Sequence, residues 1–185
     1  MKFQKLSSKM VGEIGNVLSR VNEKQVQDFV NIIIEAKRIF VVGAGRVGLS
    51  SRAFAMRLMH LGKEVHWVWD DTTPNVEKGD LLVANCGSGE VVSVCNVARL
   101  AKEAGASVIT VTANPEGRVA NISDVAVHLP AQAWGPGKHT VPSVQPMGSL
   151  FEQSLFILHD LIVLRLMERM GTTASQMAKR HRNVE

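Results

Sequence analysis

The sequence has no tyrosine, and its aromatic residues amount to only 5% of the chain. Lysine and arginine outnumber aspartate and glutamate by 21 to 17, but the basic residues are dispersed, and the tightest group is Lys179–Arg182. Sites for single-stranded nucleic acids combine a basic groove with aromatic rings on which the bases stack. Because the sequence offers no such combination, we expect no nucleic-acid partner.

Cysteine is also scarce: Cys86 and Cys95 form neither a disulfide framework nor a zinc pattern. No run approaches the roughly 18 apolar residues of a membrane span, so we expect no membrane partner. The first residues, Met1–Leu6, lack the apolar segment of a signal peptide. The histidines show no metal-ligand spacing. We therefore expect a cytoplasmic protein that holds no metal.

The length of 185 residues, of which 45% are hydrophobic, suits a single domain spanning residues 1–185. Residues 1–36 are predicted to form two N-terminal helices, because apolar residues recur there at helical spacing. Asn22 stands between the two helices, where it can cap the second one.

Five apolar runs rich in β-branched residues follow, separated by helical or polar segments. They comprise residues 38–42, 64–69, 80–85, 107–112 and 124–129. Helical periodicity runs from Leu49 to Leu61 after the first of them. This alternation predicts an α/β fold with a parallel sheet covered by helices on both faces. Such sheets bind ligands at the carboxyl ends of their strands.

The C-terminal segment, residues 147–185, is predicted to be helical after an irregular, proline-rich loop over residues 130–146. Its first helix, from Met147 to Met170, is apolar on nearly every face. Such a helix needs burial on every face, so we expect a subunit interface and a homo-oligomer. Thr172 and Thr173 are placed to cap a short last helix.

The first strand leads into a glycine-rich turn with Gly43, Gly45, Arg46, Val47 and Gly48. Glycines let the backbone turn sharply and approach a ligand, and the free N–H groups of a following helix attract an anion. The spacing fits the dinucleotide pattern G-x-G-x-x-G, with a ribose-binding acid at position 70 or 71. It fits a sugar phosphate equally well.

A second glycine-rich turn follows the third strand and consists of Cys86, Gly87, Ser88, Gly89 and Glu90. The polar loop after the second strand, with Thr72 and Thr73, is expected at the same edge of the sheet. A dinucleotide fold uses one glycine fingerprint, whereas a second Gly-Ser-Gly loop offers hydroxyl and amide donors to a compact phosphate. We therefore predict that these turns bind a small anionic sugar.

Five motifs resemble those of the 6-phospho-3-hexuloisomerases, which are single-domain SIS (sugar isomerase) proteins. They are Gly43–Arg46, Phe54–Gly62, Gly87–Glu90, Gln145–Gln153 and Lys179–Asn183. The resemblance covers nearly the whole chain and implies a three-layer α/β sandwich with a five-stranded parallel sheet of flavodoxin-like type. It also implies a homotetramer, no cofactor, and an isomerisation that moves the carbonyl group of a phosphosugar by one carbon.

The same resemblance implies catalytic roles for Glu152 and His181. Glu152 matches the base that removes the proton next to the carbonyl to give an enediol, a task that suits a carboxylate in a partly dry pocket. The alternative interpretation of Glu152 is a charge favoured by the helix dipole. His181 matches a histidine that enters the site of a neighbouring subunit, whereas a histidine in a basic tail is more often solvated.

The chain departs from the family pattern at Val47, Cys86 and Val91, where hydroxyl residues are usual. Two interpretations stay open: neutral drift with backbone amides holding the phosphate, or a substrate with a different anionic group. Cys86 is interpreted as a small hydrophobic replacement for serine, the alternative being a reactive thiol at a helix N-terminus. A non-catalytic sugar-phosphate sensor and a nicotinamide-dependent oxidoreductase are the other functions considered; Trp69 would obstruct the latter beside Asp70.

Overall fold

A sheet of five parallel strands forms the middle layer of the computed structural model, which describes residues 2–135 and 139–184. The strands are β1 (Ile39–Gly43), β2 (Val65–Trp67), β3 (Leu81–Asn85), β4 (Ser107–Thr112) and β5 (Val125–His128). Their spatial order, β2-β1-β3-β4-β5, is the flavodoxin-like order. The direction in which strands are added therefore reverses between β1 and β3.

Helices cover both faces of this sheet. In the described ranges they are α1 (Phe3–Leu18), α2 (Glu23–Glu35), α3 (Gly45–His60), α4 (Val92–Glu103), α5 (Arg118–Ile122), α6 (Ser149–Met170) and α7 (Ala174–Ala178). Helices α1, α2, α3 and α6 share an apolar core with one face of the sheet, and α4 and α5 share a second core with the other. The predicted three-layer α/β sandwich is confirmed.

Alternate residues of each strand fill the two cores, because successive side chains in a strand point to opposite faces. In β1, Ile39 and Val41 belong to the larger core, together with Phe151 of α6. Phe40 and Val42 belong to the smaller core beneath α4. All five residues of β1 are buried, as expected for an inner strand of a parallel sheet.

The predicted N-terminal helices are also confirmed. The Asn22 side chain accepts hydrogen bonds from the backbone N–H groups of Lys24 and Gln25, at 2.9 and 3.3 Å, and so caps α2. At the other end of the chain Thr173 caps α7, and its side chain and that of Gln176 form a capping box.

The bounds of α3 and β2 are among those that differ from the sequence prediction. Helix α3 begins at Gly45 rather than at Leu49, because glycines in its first turn carry no apolar side chain that would reveal the periodicity. Strand β2 covers only three residues. The Thr73 hydroxyl donates to the Trp67 carbonyl at 2.6 Å and turns the chain away from the sheet.

Helix α6 begins at Ser149, two residues later than predicted, because Met147 and Gly148 adopt left-handed conformations with φ of 57° and 82°. Part of its apolar surface is buried in the core, and part is exposed. The exposed residues are Phe156, Ile157, Leu161 and Leu164. Of the predicted loop 130–146, residues 136–138 lie outside the described part of the chain. No described helix is both long and apolar enough to cross a membrane.

Candidate functional site

The two glycine-rich turns meet where the strand order reverses. Gly43 at the end of β1 lies opposite Asn85 at the end of β3, so the turns that follow these residues leave neighbouring positions of the sheet. In open α/β sheets, ligands bind in the crevice outside the carboxyl ends of the strands at this point. The fold therefore places both predicted anion-binding turns at one crevice.

The glycines of the first turn serve two different purposes. A Cβ atom on Gly48 would lie 2.5 Å from the Gly43 carbonyl oxygen, and one on Gly43 would lie 2.9 Å from Ser51 Oγ. These two glycines therefore let α3 pack closely on β1. Gly45 has φ of 55°, and a Cβ atom there would meet no described atom within 4 Å, so it supplies the turn and leaves open space.

Arg46 and Glu152 come together at the mouth of this crevice. Arg46 lies in the first turn of α3, and its Nε donates to Glu152 Oε2 in the first turn of α6. The Glu152 side chain is 15% exposed, whereas that of Arg46 is 63% exposed. The ion pair thus places a largely buried carboxylate beside an exposed cation.

A cleft of about 460 Å³ adjoins this ion pair. Its lining residues come from α1, α3 and α6: Ile14, Arg46, Leu49, Ser50, Glu152, Gln153, Phe156 and Ile157. The volume lies in the range of small-molecule sites, and mostly apolar walls with a few charged groups are typical of them. Glu152 is accordingly accessible to a small polar ligand.

The second glycine-rich turn packs against the start of α6. A Cβ atom on Gly87 would lie 3.0 Å from the Phe151 ring and 3.2 Å from Ala133 Cβ. Phe151 directly precedes Glu152, so close packing at Gly87 fixes the distance between this turn and the carboxylate. The Ser88 hydroxyl accepts from the Glu90 backbone N–H at 3.2 Å.

Glu90 faces away from the crevice, toward α5. Its carboxylate accepts from the Arg118 backbone N–H at 3.0 Å and from Arg118 Nε at 2.6 Å. The side-chain hydrogen bond from Arg118, followed by the bond from its backbone, lowers the pKa of Glu90 below its usual value. Glu90, predicted to bind substrate, therefore contacts Arg118 and holds the turn in place.

A buried polar network links the two turns, and the sequence pattern did not reveal it. Asn85 Nδ2 donates to Ser51 Oγ at 2.9 Å, and Ser51 Oγ donates to the Val47 carbonyl at 2.8 Å. Asn85 Nδ2 also lies 3.4 Å from His159 Nε2 of α6. The network therefore ties the end of β3 to the first turn of α3. An asparagine at the end of an otherwise apolar strand is the signal that could have found it.

His159 is enclosed in the core beside this network. Its ring stacks on Phe54, with centroids 4.2 Å apart and an angle of 9° between the planes. Burial lowers the pKa of His159 to about 3, and a weaker interaction with the backbone of Ser50 opposes this shift. His159 is therefore neutral across the physiological range.

Thr72 and Thr73 lie one strand farther from Glu152. The Thr73 hydroxyl is engaged by the Trp67 carbonyl, and Thr73 lines a separate cleft of about 390 Å³ with Asp70. Asp70 lies 3.9 Å from Arg52, and the exposed Trp69 meets Trp67 edge to face. The geometry does not bring the two threonines to the Arg46–Glu152 pair.

The positions that depart from the family pattern have different surroundings. Cys86 is buried in the smaller core, six residues before α4 begins, so it does not lie at a helix N-terminus as the alternative interpretation required. Val47 is partly buried against the larger core. Val91 is the N-cap residue of α4, and its side chain provides no capping hydrogen bond.

His181 lies far from Glu152 of its own chain. Its ring stacks on that of His60, the last residue of α3, with centroids 5.3 Å apart. Arg46 and His60 are fourteen residues apart in α3, which corresponds to about 21 Å along the helix axis. The structure therefore places the two predicted catalytic residues at opposite ends of α3. The described residues contain no cluster of three or more potential metal ligands.

Comparisons with known proteins agree with the α/β fold described above. The model of the SIS domain family matches residues 32–156. A 3-hexulose-6-phosphate isomerase of Bacillus subtilis is 34% identical over 185 residues, covering 100% of both chains. One of Mycobacterium gastri is 40% identical over 174 residues, covering 94% of this chain and 86% of its own. A crystal structure of a Methanococcus jannaschii protein, from which a 3-hexulose-6-phosphate isomerase function was inferred, matches with a TM-score of 0.83 at 32% identity, covering 100% of both chains.

Proposed function

This chain belongs to the SIS domain family, and we propose that it is an isomerase that interconverts 3-hexulose 6-phosphate and fructose 6-phosphate. The observation that carries the proposal is the Arg46–Glu152 pair beside a cleft of about 460 Å³, at the point where two glycine-rich turns meet. The relatives named 3-hexulose-6-phosphate isomerase, which match this chain over nearly its whole length, support the choice of substrate.

The reaction moves a carbonyl group from C3 to C2 of the sugar. Glu152 removes the proton from C2, which gives a 2,3-enediol, and returns a proton to C3. The hydroxyl proton on O2 is lost, and O3 gains one. Arg46 holds Glu152 in place and offers a positive charge to the oxygen atoms of the enediol. The route transfers only protons, so we propose no cofactor.

The phosphate group is assigned to the two turns. The donors that we assign to it are backbone N–H groups near Gly45 and Gly87, the Ser88 hydroxyl and the first turn of α3, since helix N-termini favour anions. Glu90 takes no direct part because Arg118 engages its carboxylate. With the phosphate at the two turns, the apolar side of the cleft near Phe156 remains for the carbon chain of the sugar.

We propose further that the enzyme is a homo-oligomer, expected to be a tetramer, with His181 supplied by a neighbouring subunit. Two observations support this: His181 lies about 21 Å from the Glu152 end of α3 in its own chain, and α6 exposes four large apolar side chains. In the neighbouring site, the imidazole moves protons between O2 and O3.

Replacing Glu152 with glutamine tests the proposed base. Glu152→Gln keeps the size of the side chain and can still bond to Arg46, but it cannot accept the proton. Turnover of fructose 6-phosphate should fall by a factor on the order of 10² or more. Glu168→Gln, an exposed position near the other end of α6, is the matched control and should retain the parental rate. A Glu152→Gln enzyme with most of its activity would show that the base lies elsewhere.

Mixing variants tests the shared site. Neither Glu152→Gln nor His181→Ala protomers alone should turn over substrate well, but mixed oligomers contain some sites with both residues intact. Recovered activity after subunit exchange, followed by native mass spectrometry, is the expected result. Exchange without recovery would refute the supply of His181 from a neighbouring subunit.

A further inference from the structure

The C-terminal tail is fixed on the end of α3 by several independent contacts. The capping box of Thr173 and Gln176 starts α7, and Met177 packs against the larger core. The chain then turns, with the Arg180 N–H donating to the Met177 carbonyl at 3.0 Å. The tail therefore arrives at α3 in a defined conformation.

Arg180 binds the C-terminal end of α3. Its Nη1 donates to the His60 carbonyl at 3.0 Å, where the unpaired carbonyl groups of a helix favour a cation. The guanidinium group also lies over Gly62: a Cβ atom there would stand 3.3 Å from Arg180 Cζ. Gly62 has φ of 96°, so any other residue would be strained as well as crowded.

His60 provides the surface on which His181 rests. Only 2% of His60 is exposed, and Arg57 Nη1 lies 3.3 Å from its Nδ1. The His60 and His181 rings are stacked, with an angle of 23° between their planes. Because His60 is held by the helix, by Arg57 and by burial, it can fix the plane of the more exposed His181 ring.

We propose that His60 and Arg180 are positioning residues that act through His181. They hold its imidazole at the C-terminal end of α3 in the orientation in which a neighbouring subunit receives it. The proposal rests on the proposed role of His181. According to this proposal, α3 contributes to two active sites. Its first turn carries Arg46 of the site in its own subunit, and its last residue, His60, supports the His181 that enters the site of a neighbouring subunit.

A double-mutant cycle tests this proposal with the full-length oligomer. We expect His60→Ala to lower kcat at least tenfold with little change in KM, because substrate binding is assigned elsewhere. The variant His60→Ala/His181→Ala should be no slower than His181→Ala, since His60 then has nothing left to position. A purely structural role of His60 would instead multiply the two losses.

His66 provides a matched control. It stacks on Phe40 with the same centroid distance, 5.3 Å, at an angle of 29°, but it lies in β2 and its stacking partner belongs to β1 rather than to the tail. His66→Ala should therefore leave kcat near the parental value, and its effect should multiply with that of His181→Ala. Two milder variants test the proposal even where His60→Ala misfolds. His60→Phe keeps a ring for stacking and should retain most of the parental kcat. Arg180→Ala changes only an exposed side chain.

The outcomes separate the two proposals. A fully active His181→Ala enzyme would overturn the catalytic role of His181 itself. An inactive His181→Ala enzyme together with parental kcat in both His60→Ala and Arg180→Ala would overturn only the positioning role. Losses that multiply in the cycle would also overturn it. If His60→Ala fails to assemble, Arg180→Ala replaces it in the same cycle with the same expected result.

Discussion

His159 should make the stability of this protein fall between pH 7 and pH 5. Burial lowers its pKa from 6.5 to about 3, so the folded state resists a proton that the unfolded chain binds readily. The stability that comes from the neutral imidazole is therefore fully present above about pH 6.5 and is lost as the pH falls toward 3. At pH 5 the unfolded state is mostly protonated at this residue and the folded state is not.

The size of the effect follows from the two pKa values. Between pH 7 and pH 5 the linkage relation gives a loss of roughly 2 kcal/mol in the free energy of unfolding. Carboxylates with lowered pKa values, such as Asp80 and Glu90, add their losses mainly below about pH 4. The interval from pH 7 to pH 5 therefore avoids most of the carboxylate contribution, and a variant without His159 separates its contribution from those of the other histidines.

Urea unfolding at pH 7 and pH 5 measures this loss, at one protein concentration because subunit association adds to the measured stability. His159→Gln removes the titrating group, so its loss between the two pH values should be smaller than the parental loss by roughly 2 kcal/mol. Ser154→Ala, a buried neutral change in the same helix, should shift both values equally. An equal pH dependence in His159→Gln and the parent would refute the reasoning.

Two further predictions concern the turns. Gly48→Ala should lower the free energy of unfolding by about 1–3 kcal/mol, because its Cβ would stand 2.5 Å from the Gly43 carbonyl oxygen. The control is Gly12→Ala in α1, where a Cβ would meet no described atom within 4 Å, and it should raise this free energy by about 0.5–1 kcal/mol. Urea unfolding measures both changes, and equal effects would contradict the packing argument. Val91→Thr should add a cap to α4 worth about 0.5–2 kcal/mol and tighten the binding of fructose 6-phosphate about tenfold. The control Val91→Ala should show neither effect. Calorimetric titration measures the affinity, and an unchanged affinity in Val91→Thr would contradict the predicted hydrogen bond to the phosphate.

The layers and the position of the crevice follow from local patterns. Runs of apolar β-branched residues mark the strands, and Asn22 marks the start of α2, because these signals lie within a few residues of one another. The apolar periodicity did not predict the first turn of α3, because Gly45 and Gly48 carry no side chain that could contribute to it. Strand β2 was overestimated because the hydroxyl that ends it belongs to Thr73, beyond the apolar run.

The contacts that decide the roles of site residues could not be predicted in this way. Glu90 meets Arg118, and Asn85 meets His159, across large separations in the sequence. Each such pair depends on how α5 or α6 packs on the sheet, which no local spacing encodes. The pairing of Arg46 with Glu152 is of the same kind, although both residues stood among the predicted site residues.

The three departures from the family pattern are not equivalent once their surroundings are known. Cys86 lies in the smaller core and is only 2% exposed, so a serine hydroxyl there would be largely enclosed by protein. Val47 packs against the larger core, and its carbonyl already accepts from Ser51. Drift with the backbone amides retained is therefore the better interpretation at these two positions.

Val91 also packs against the smaller core, but it differs in being the N-cap of α4, directly after the second glycine-rich turn. A threonine hydroxyl has one donor and two acceptor positions, so it could accept from the first turn of α4 and donate to a phosphate oxygen at once. Valine does neither. Among the three departures, Val91 is thus the position at which we expect this chain to lack a donor to the anion, and the loss of one hydrogen bond to a charged group would weaken phosphate binding without requiring a different substrate.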